Sequence, residues 1–294
     1  MEPTWTILKV LQWTTDYFRR HGIDQPRATA EILLASVLGM ERLGLYLHFD
    51  QPLHDEELAR FRALIRRRAA REPTQYLTGR QEFWSLTLEV TPAVLIPRPE
   101  TELLVETALE FLADGRFSVL DLATGSGAIV IALARERPSW ALTATDLSPA
   151  ALAVAQRNAR RHQVADHIAL AAMDLFSGWS ERAPGFDLIV TNPPYIGDDE
   201  FSGLQPEVGL FEPRGALLGG GRLGLDLIRK ILAAAPRRLR PGGRLLLEIG
   251  MGQDQHLESL VAADLNYDAH GFRKDYAGIT RLLWARTAAP EATG

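Results

Sequence analysis

Apolar residues in the first part of the chain recur at helical spacing. Ile7, Val10, Leu11, Thr14 and Phe18 share one face of the segment 4–20, with Asp16, Arg19 and Arg20 on the wet side, which predicts an amphipathic helix. A second helix is signalled by Asp24 as N-cap, Pro26 in the first turn, the apolar run Ile32-Leu33-Leu34 and Gly39 as a stop. A third begins near Asp55 and presents Leu58, Phe61, Leu64 and Ile65, while Arg60, Arg62, Arg66, Arg67, Arg68 and Arg71 crowd its other side. That arginine run reads as a solvated helical face in preference to a nucleic-acid surface. Residues 1–75 are therefore expected to form a small helical domain.

The pattern then changes. Over 76–98 Phe83, Leu86, Leu88 and Val90 alternate with polar neighbours, as in a half-buried hairpin linker, and Pro97 and Pro99 interrupt the chain before a helix over 100–112. The remainder, 99–294, alternates short apolar runs at 119–122, 142–145, 168–171, 188–190 and 245–249 with helical segments at 128–136, 149–162 and 223–239. Parallel neighbours need crossover helices, so this order predicts an α/β domain with a mostly parallel sheet. Segments 268–273 and 279–285 add an antiparallel edge, and the tail 287–294 is expected to fray.

Composition narrows the class. With 46% hydrophobic and 23% charged residues the chain is a folded one, and without cysteine it has no disulfides, thiolate metal sites or cysteine nucleophiles. No metal is expected. The net charge of -5, from 32 Lys+Arg against 37 Asp+Glu, lacks the basic excess of a protein that grips nucleic acid through phosphates. No secretory leader or 18-residue apolar run is apparent, so a cytoplasmic protein is expected.

The chemistry gathers at strand ends. The first strand of the α/β part runs into Ala123-Thr124-Gly125-Ser126-Gly127 and a helix follows at once. Small residues permit a sharp turn and close approach of a ligand, and the new helix presents unpaired N–H groups. The same sequence also suits a plain strand-to-helix turn. A dinucleotide fingerprint would need a third glycine where Val130 stands, which disfavours a nicotinamide oxidoreductase. The second strand ends at Asp146, where one carboxylate can accept both hydroxyls of a ribose or cap the next helix. Asp174 and Leu175, after the third strand, are placed for an adenine ring, with an ordinary loop carboxylate as the alternative for Asp174.

The fourth strand ends in Asn192-Pro193-Pro194-Tyr195. Proline has no N–H, so this loop offers acceptors without donors, and an NH2 group is its complement. The Asn192 side-chain oxygen and the Pro193 carbonyl can take one N–H each, and Tyr195 can stack on the planar group that carries them. Beside a nucleoside pocket, the reaction that fits is methyl transfer from S-adenosylmethionine to nitrogen.

At these residues the chain resembles the bacterial release-factor glutamine N5-methyltransferases. The resemblance spans Tyr76-Leu77-Thr78-Gly79, Glu82-Phe83-Trp84, Ile96-Pro97-Arg98-Pro99-Glu100-Thr101-Glu102, the glycine turn, the Asn192-Pro193-Pro194-Tyr195 loop, Glu212-Pro213, Pro241-Gly242-Gly243 and Glu248-Ile249-Gly250. It implies a helical N-terminal domain that recognises the partner, a hairpin linker and a class I S-adenosylmethionine-dependent methyltransferase domain with a Rossmann-like seven-stranded sheet. It further implies that 192–195 hold the glutamine of the GGQ motif in class 1 peptide chain release factors, and that Ala123, Thr124, Gly125, Ser126, Gly127, Asp146, Asp174, Leu175 and Asn192 meet the cofactor. Two positions depart from the family: Ala123 stands where glycine is usual, and Leu175 where some members carry an aromatic residue, for which Phe176 is a possible substitute.

Other readings share parts of this pattern. An adenine N6 DNA methyltransferase needs the same loop, and is disfavoured by the acidic charge and the lack of a large basic region. An enzyme methylating a ribosomal-protein glutamine is closer, and the segments 82–84 and 96–102 favour the release-factor branch. A cofactor-binding module without turnover is disfavoured by the intact loop at 192–195.

Overall fold

The computed structural model describes residues 5–113, 115–180 and 182–289. In chain order its main elements are helices α1 (Ile7–Arg20), α2 (Pro26–Leu38), α3 (Arg42–Leu47), α4 (Asp55–Ala69) and α5 (Thr74–Thr78), then strands β1 (Arg80–Phe83) and β2 (Leu86–Glu89). There follow α6 (Glu102–Phe111), β3 (Ser118–Leu122), α7 (Ala128–Glu136), β4 (Ala141–Asp146), α8 (Pro149–Arg161), β5 (Ile168–Ala172), β6 (Phe186–Thr191), α9 (Asp198–Phe201) and α10 (Pro206–Phe211). The chain closes with α11 (Asp226–Ala234), β7 (Leu239–Glu248), α12 (Asp254–Ala262), β8 (Tyr267–Lys274) and β9 (Thr280–Thr287).

These elements form two compact units. The first comprises residues 1–80 together with Gln205–Phe211, so α10 belongs to it although the chain on either side does not. Its core is Ile7, Phe18, Leu33, Leu34, Phe61 and Ile65, the apolar face expected of α1, α2 and α4. Three local readings are corrected. Gln25, in a left-handed conformation, is the N-cap of α2, and Asp24 instead offers its backbone oxygen to the Thr29 hydroxyl. Helix α3 and the short α5 intervene where no helix is expected, and Tyr76 is on α5, not in the hairpin. The arginine run is not uniformly solvated: Arg60, Arg62 and Arg66 are exposed, but Arg68 is buried and pairs with Glu207 of α10 at 2.8 Å. Charge makes such a residue look like surface; a carboxylate from a distant part of the chain is what lets it go inside.

The second unit holds the hairpin and the sheet. Trp84 and Ser85, both with positive φ, form the two-residue turn between β1 and β2, the geometry that matches the twist of paired strands. The seven-stranded sheet runs β5-β4-β3-β6-β7-β9-β8. All pairs are parallel except β7 with β9 and β8 with β9. Strand order reverses at β3 and β6, and the crevice beyond the carboxyl ends of these two strands is where such folds bind ligands. Residues alternate between the faces: Val119, Leu188, Val190 and Leu246 pack with α6 and α7, whereas Leu120, Leu122, Ile189 and Leu247 pack with α11 and α12.

Several boundaries move. Strand β7 starts at Leu239, six residues before the apolar run that signals it, and carries Pro241-Gly242-Gly243 opposite a register shift in β6. Helix α11 is correspondingly shorter than 223–239. Thr287, placed in the frayed tail by its position, ends β9 and donates its hydroxyl to Arg240 O at 2.8 Å; residues 290–294 of that tail lie outside the described residues. Among the described residues no helix is long and apolar enough to cross a membrane.

Candidate active site

A cavity of about 420 Å³ opens at the carboxyl ends of β3, β4 and β6. Ala123, Thr124, Gly125, Ser126, Asp146, Asp174, Leu175, Asn192 and Pro194 all line it. Gly127, Pro193 and Tyr195 do not. Gly127 sits beneath the turn with φ +83, and a Cβ there would lie 2.9 Å from Ile131 Cδ1 and 3.2 Å from Ala155 Cβ, so the residue serves close helix packing. Pro193 is buried, and Tyr195 turns its hydroxyl to Glu248 Oε1 at 3.2 Å. Phe176 packs into the core with Leu120 and Ile189, so it does not replace a ring at the cavity wall.

Hydrogen bonds hold the turn after β3 from below. Asp121, on the α7 face of β3, accepts the Thr124 hydroxyl at 2.6 Å and the Val130 N–H at 3.2 Å through one oxygen. Burial pushes its carboxyl up to about 7. Asn158 of α8 donates to Ser126 O and Glu89 O and accepts the Glu89 N–H, which ties the turn to the hairpin. Ala123 has φ +61, in the left-handed region where glycine is at ease.

Asp146 accepts the Gly125 N–H at 2.8 Å on one oxygen and the Ser148 N–H at 2.8 Å on the other. Ser148, not Asp146, caps α8, accepting the Ala151 N–H. A carboxylate has about four lone-pair positions, so Asp146 retains room for two more donors, the number a ribose diol provides. Met173, Leu147 and Leu175 add apolar wall beside Asp174, a lining suited to a purine face with an exocyclic amine at its rim. The donor and acceptor set thus fits the adenosine part of S-adenosylmethionine.

The loop at 192–195 is fastened on several sides. Thr191 at the end of β6 donates its hydroxyl to Leu122 O at 2.7 Å, and Asn192 Nδ2 donates to Thr101 Oγ1 at 3.1 Å. With its nitrogen engaged there, the Asn192 amide oxygen is left as the acceptor. Gln253 Nε2 donates to Tyr195 O and Leu223 O, and its Oε1 accepts the Gly250 N–H. Gly219 lies against the loop so closely that a Cβ would come 2.7 Å from Pro194 O. Of the loop carbonyls, that of Tyr195 is engaged by Gln253, and the Asn192 oxygen stands as an acceptor at the cavity wall.

Sequence reasoning did not single out Thr101, Glu248, Gln253, Asp121 or Asn158 as site residues. Arg98, whose role the motif leaves open, pairs with buried Glu212, which also accepts the Ile96 N–H at 3.1 Å. Those two contacts hold the segment that carries Thr101.

The chain is similar to known methyltransferases. The family described as PrmC N-terminal domain matches residues 9–79, and that described as methyltransferase small domain matches residues 99–204. A release factor glutamine methyltransferase of Geobacter sulfurreducens is 49% identical, covering 96% of this chain and 97% of its own. One from Rhodopirellula baltica is 41% identical, covering 96% of each chain. Among solved structures, a methyltransferase from Pyrococcus furiosus superposes with a TM-score of 0.51 at 21% identity, covering 77% of this chain and 98% of that one, which shows the fold.

Proposed function

The chain belongs to the release factor glutamine methyltransferases, and from that membership we propose that it methylates the side-chain nitrogen of the GGQ glutamine in class 1 peptide chain release factors. The observation that carries this reading is Asn192, whose amide nitrogen is taken by Thr101 so that its oxygen is left to accept, at a cavity whose turn and acid suit an adenosine.

Asp146 and the turn residues Ala123, Thr124, Gly125 and Ser126 hold the cofactor, with Asp174 and Leu175 at its base. When bound, S-adenosylmethionine supplies an electrophilic methyl on a sulfonium. Asn192 Oδ1 and Pro193 O each accept one N–H of the glutamine amide, and the nitrogen's lone pair is left free to point at that methyl. An amide nitrogen is a poor nucleophile because its lone pair is delocalised, so holding both hydrogens to one side favours the more pyramidal, reactive form. Positioning supplies the main effect. Tyr195, anchored to Glu248, braces the loop that carries these acceptors.

The first unit takes the protein partner, a reading supported by its exposed Arg60, Arg62 and Arg66 and by the exposed Leu43 and Leu47 of α3. A release factor is a protein of the cytoplasm, and the enzyme is assigned there with it. Incubating the full chain with S-adenosylmethionine and a whole release factor, then mapping peptides by mass, tests the proposal. One added methyl on the GGQ glutamine is expected; a methyl on any other residue, or none, would refute it.

A further inference from the structure

The acceptor pair works only if Asn192 presents oxygen, not nitrogen, to the substrate. An amide side chain can turn over at little cost, so something behind it must decide. Asn192 Nδ2 lies 3.1 Å from Thr101 Oγ1. Thr101 is buried at the cavity wall, in the turn of Pro99–Thr101 that precedes α6. A hydroxyl has one hydrogen to give, and the direction in which Thr101 gives it fixes the sense of the contact with Asn192. Glu248, the last residue of β7, is buried with Oε1 taking the Tyr195 hydroxyl.

Glu248 Oε2 is buried without a hydrogen-bond partner among the described residues, and Thr101 is the first of the groups that oppose the rise burial imposes on this carboxyl. An ionised carboxylate accepts and cannot donate, so it draws the Thr101 hydrogen toward itself and leaves Oγ1 as an acceptor for Asn192 Nδ2.

We infer that Thr101 and Glu248 are positioning residues, forming a one-way hydrogen-bond chain from Asn192 through Thr101 to Glu248 that holds the Asn192 oxygen toward the substrate amide. This rests on the reading of Asn192 given above. Glu248 also holds Tyr195, so one buried carboxylate braces the loop at two places. It accounts for Thr101 and for the buried acid at the end of β7, neither of which need touch the reacting atoms.

The groups facing Glu248 are Tyr195 from the loop after β6, Arg281 from β9, and Glu100 with Thr101 from the turn before α6. Burial raises the Glu248 carboxyl to about 7, with Glu100 adding to the rise and Thr101, Tyr195 and Arg281 opposing it. Taking up a proton turns Glu248 into a donor, and the direction of the chain is then no longer fixed.

The test uses the full chain with S-adenosylmethionine and a whole release factor, comparing Thr101→Val, Thr101→Ser and Glu248→Gln. Thr101→Val keeps the shape and removes the hydroxyl; kcat is expected to fall about tenfold or more, with KM for the release factor and cofactor affinity within about threefold. Thr101→Ser restores the hydroxyl and is expected to return kcat to within about threefold of wild type. Wild-type kcat is expected to decline as pH falls through about 7, and Glu248→Gln, reduced throughout, to lose that inflection. A Thr101→Val enzyme with wild-type kcat would overturn the inference, as would a Thr101→Ser enzyme no better than Thr101→Val, which would assign Thr101 to packing alone. If Thr101→Val does not fold, Thr101→Ala carries the same expectation. A wild-type enzyme that leaves the glutamine unmodified would instead refute the proposed function, so the two failures are distinguishable.

Discussion

Asp146 Oδ2 accepts the backbone N–H of Gly125 at 2.8 Å, so the acid that faces the cavity also pins the turn that frames it. The proposed ribose contact and the turn geometry therefore depend on one side chain. Asp146→Ala removes both, and S-adenosylmethionine affinity is expected to fall about ten- to hundredfold, the equivalent of about 1 to 3 kcal/mol for unpaired buried hydroxyls. Asp146→Asn keeps one acceptor oxygen and is expected to lose less. Calorimetry on the folded variants measures both, and an unchanged affinity in Asp146→Ala would remove Asp146 from the cofactor site.

Asn192→Ala deletes one of the two acceptors proposed for the amide. The cofactor still binds, but the nitrogen is held by one contact and its lone pair wanders from the methyl. Turnover is expected to drop about a hundredfold or more, with S-adenosylmethionine affinity changed only slightly. Asn192→Asp keeps the acceptor and adds a charge beside a cationic sulfonium. The charge attracts the ground state more than a transition state in which the positive charge disperses, so this nearly isosteric change is also expected to impair kcat. Steady-state kinetics on a release factor would show it, and full activity in either variant would contradict the role given to Asn192.

Ala123 occupies a φ of +61, where a side chain crowds its own backbone at a cost of about 1 kcal/mol. Ala123→Gly relieves this crowding, although the freer unfolded chain returns part of the gain. Ala123→Val, branched at Cβ, aggravates it. The stability order in urea is expected to be Gly at or above Ala, and both above Val, with the Val variant at least about 1 kcal/mol below wild type. A Val variant as stable as wild type would show that the strain is relieved elsewhere.

What the sequence discloses about this site, and what it hides, follows from the range of the contacts. The glycine turn, Asp146 and the loop at 192–195 each announce themselves within a few residues, because a strand end, a sharp turn and a helix start have local requirements. Their convergence follows from the order of strands and crossovers. Thr101 and Asn192, by contrast, are 91 residues apart, and Arg68 and Glu207 are 139 apart. Nothing near Thr101 in the chain marks it as the partner of an asparagine, and nothing near Arg68 separates it from its exposed neighbours Arg66 and Arg67. The helical period places side chains on a face; which face meets a carboxylate is decided by packing. The first part of strand β7 is hidden for another reason: Pro241-Gly242-Gly243 reads as a turn, yet the strand runs through it opposite the register shift in β6.

Two buried carboxyls give the fold a pH dependence of definite sign. Asp121 and Glu248 are both raised to about 7, chiefly by burial. In the unfolded chain they ionise near about pH 4. Between those limits the folded chain binds more protons than the unfolded one, so their contribution to stability falls as pH rises from about 4 to about 7 and is level above. Glu248→Gln removes one of the two titrations. Relative to wild type, its unfolding free energy is therefore expected to rise between pH 5 and pH 8, roughly the span over which Glu248 ionises. Urea titrations of both proteins across that range measure the difference, and a constant gap would show that Glu248 is not held protonated by the fold.

Glu207 of α10 is the carboxylate beside Arg68 at 2.8 Å and Arg71 at 3.2 Å, and the Arg68 side chain is only 6% exposed. Removing the acid by Glu207→Ala leaves a guanidinium buried without its counter-charge, and such a loss costs about 3 kcal/mol or more. Replacing the cation instead, by Arg68→Met, fills the space with apolar atoms. It leaves Glu207 beside Arg71, so its cost is expected to be smaller by at least about 1 kcal/mol. The asymmetry is the informative quantity, because a pair that mattered only through mutual attraction would lose the same amount from either side. Urea unfolding of both variants supplies it. Equal costs would mean that desolvation of Arg68 is met by other groups, and that α10 is held to α4 by packing rather than by this pair.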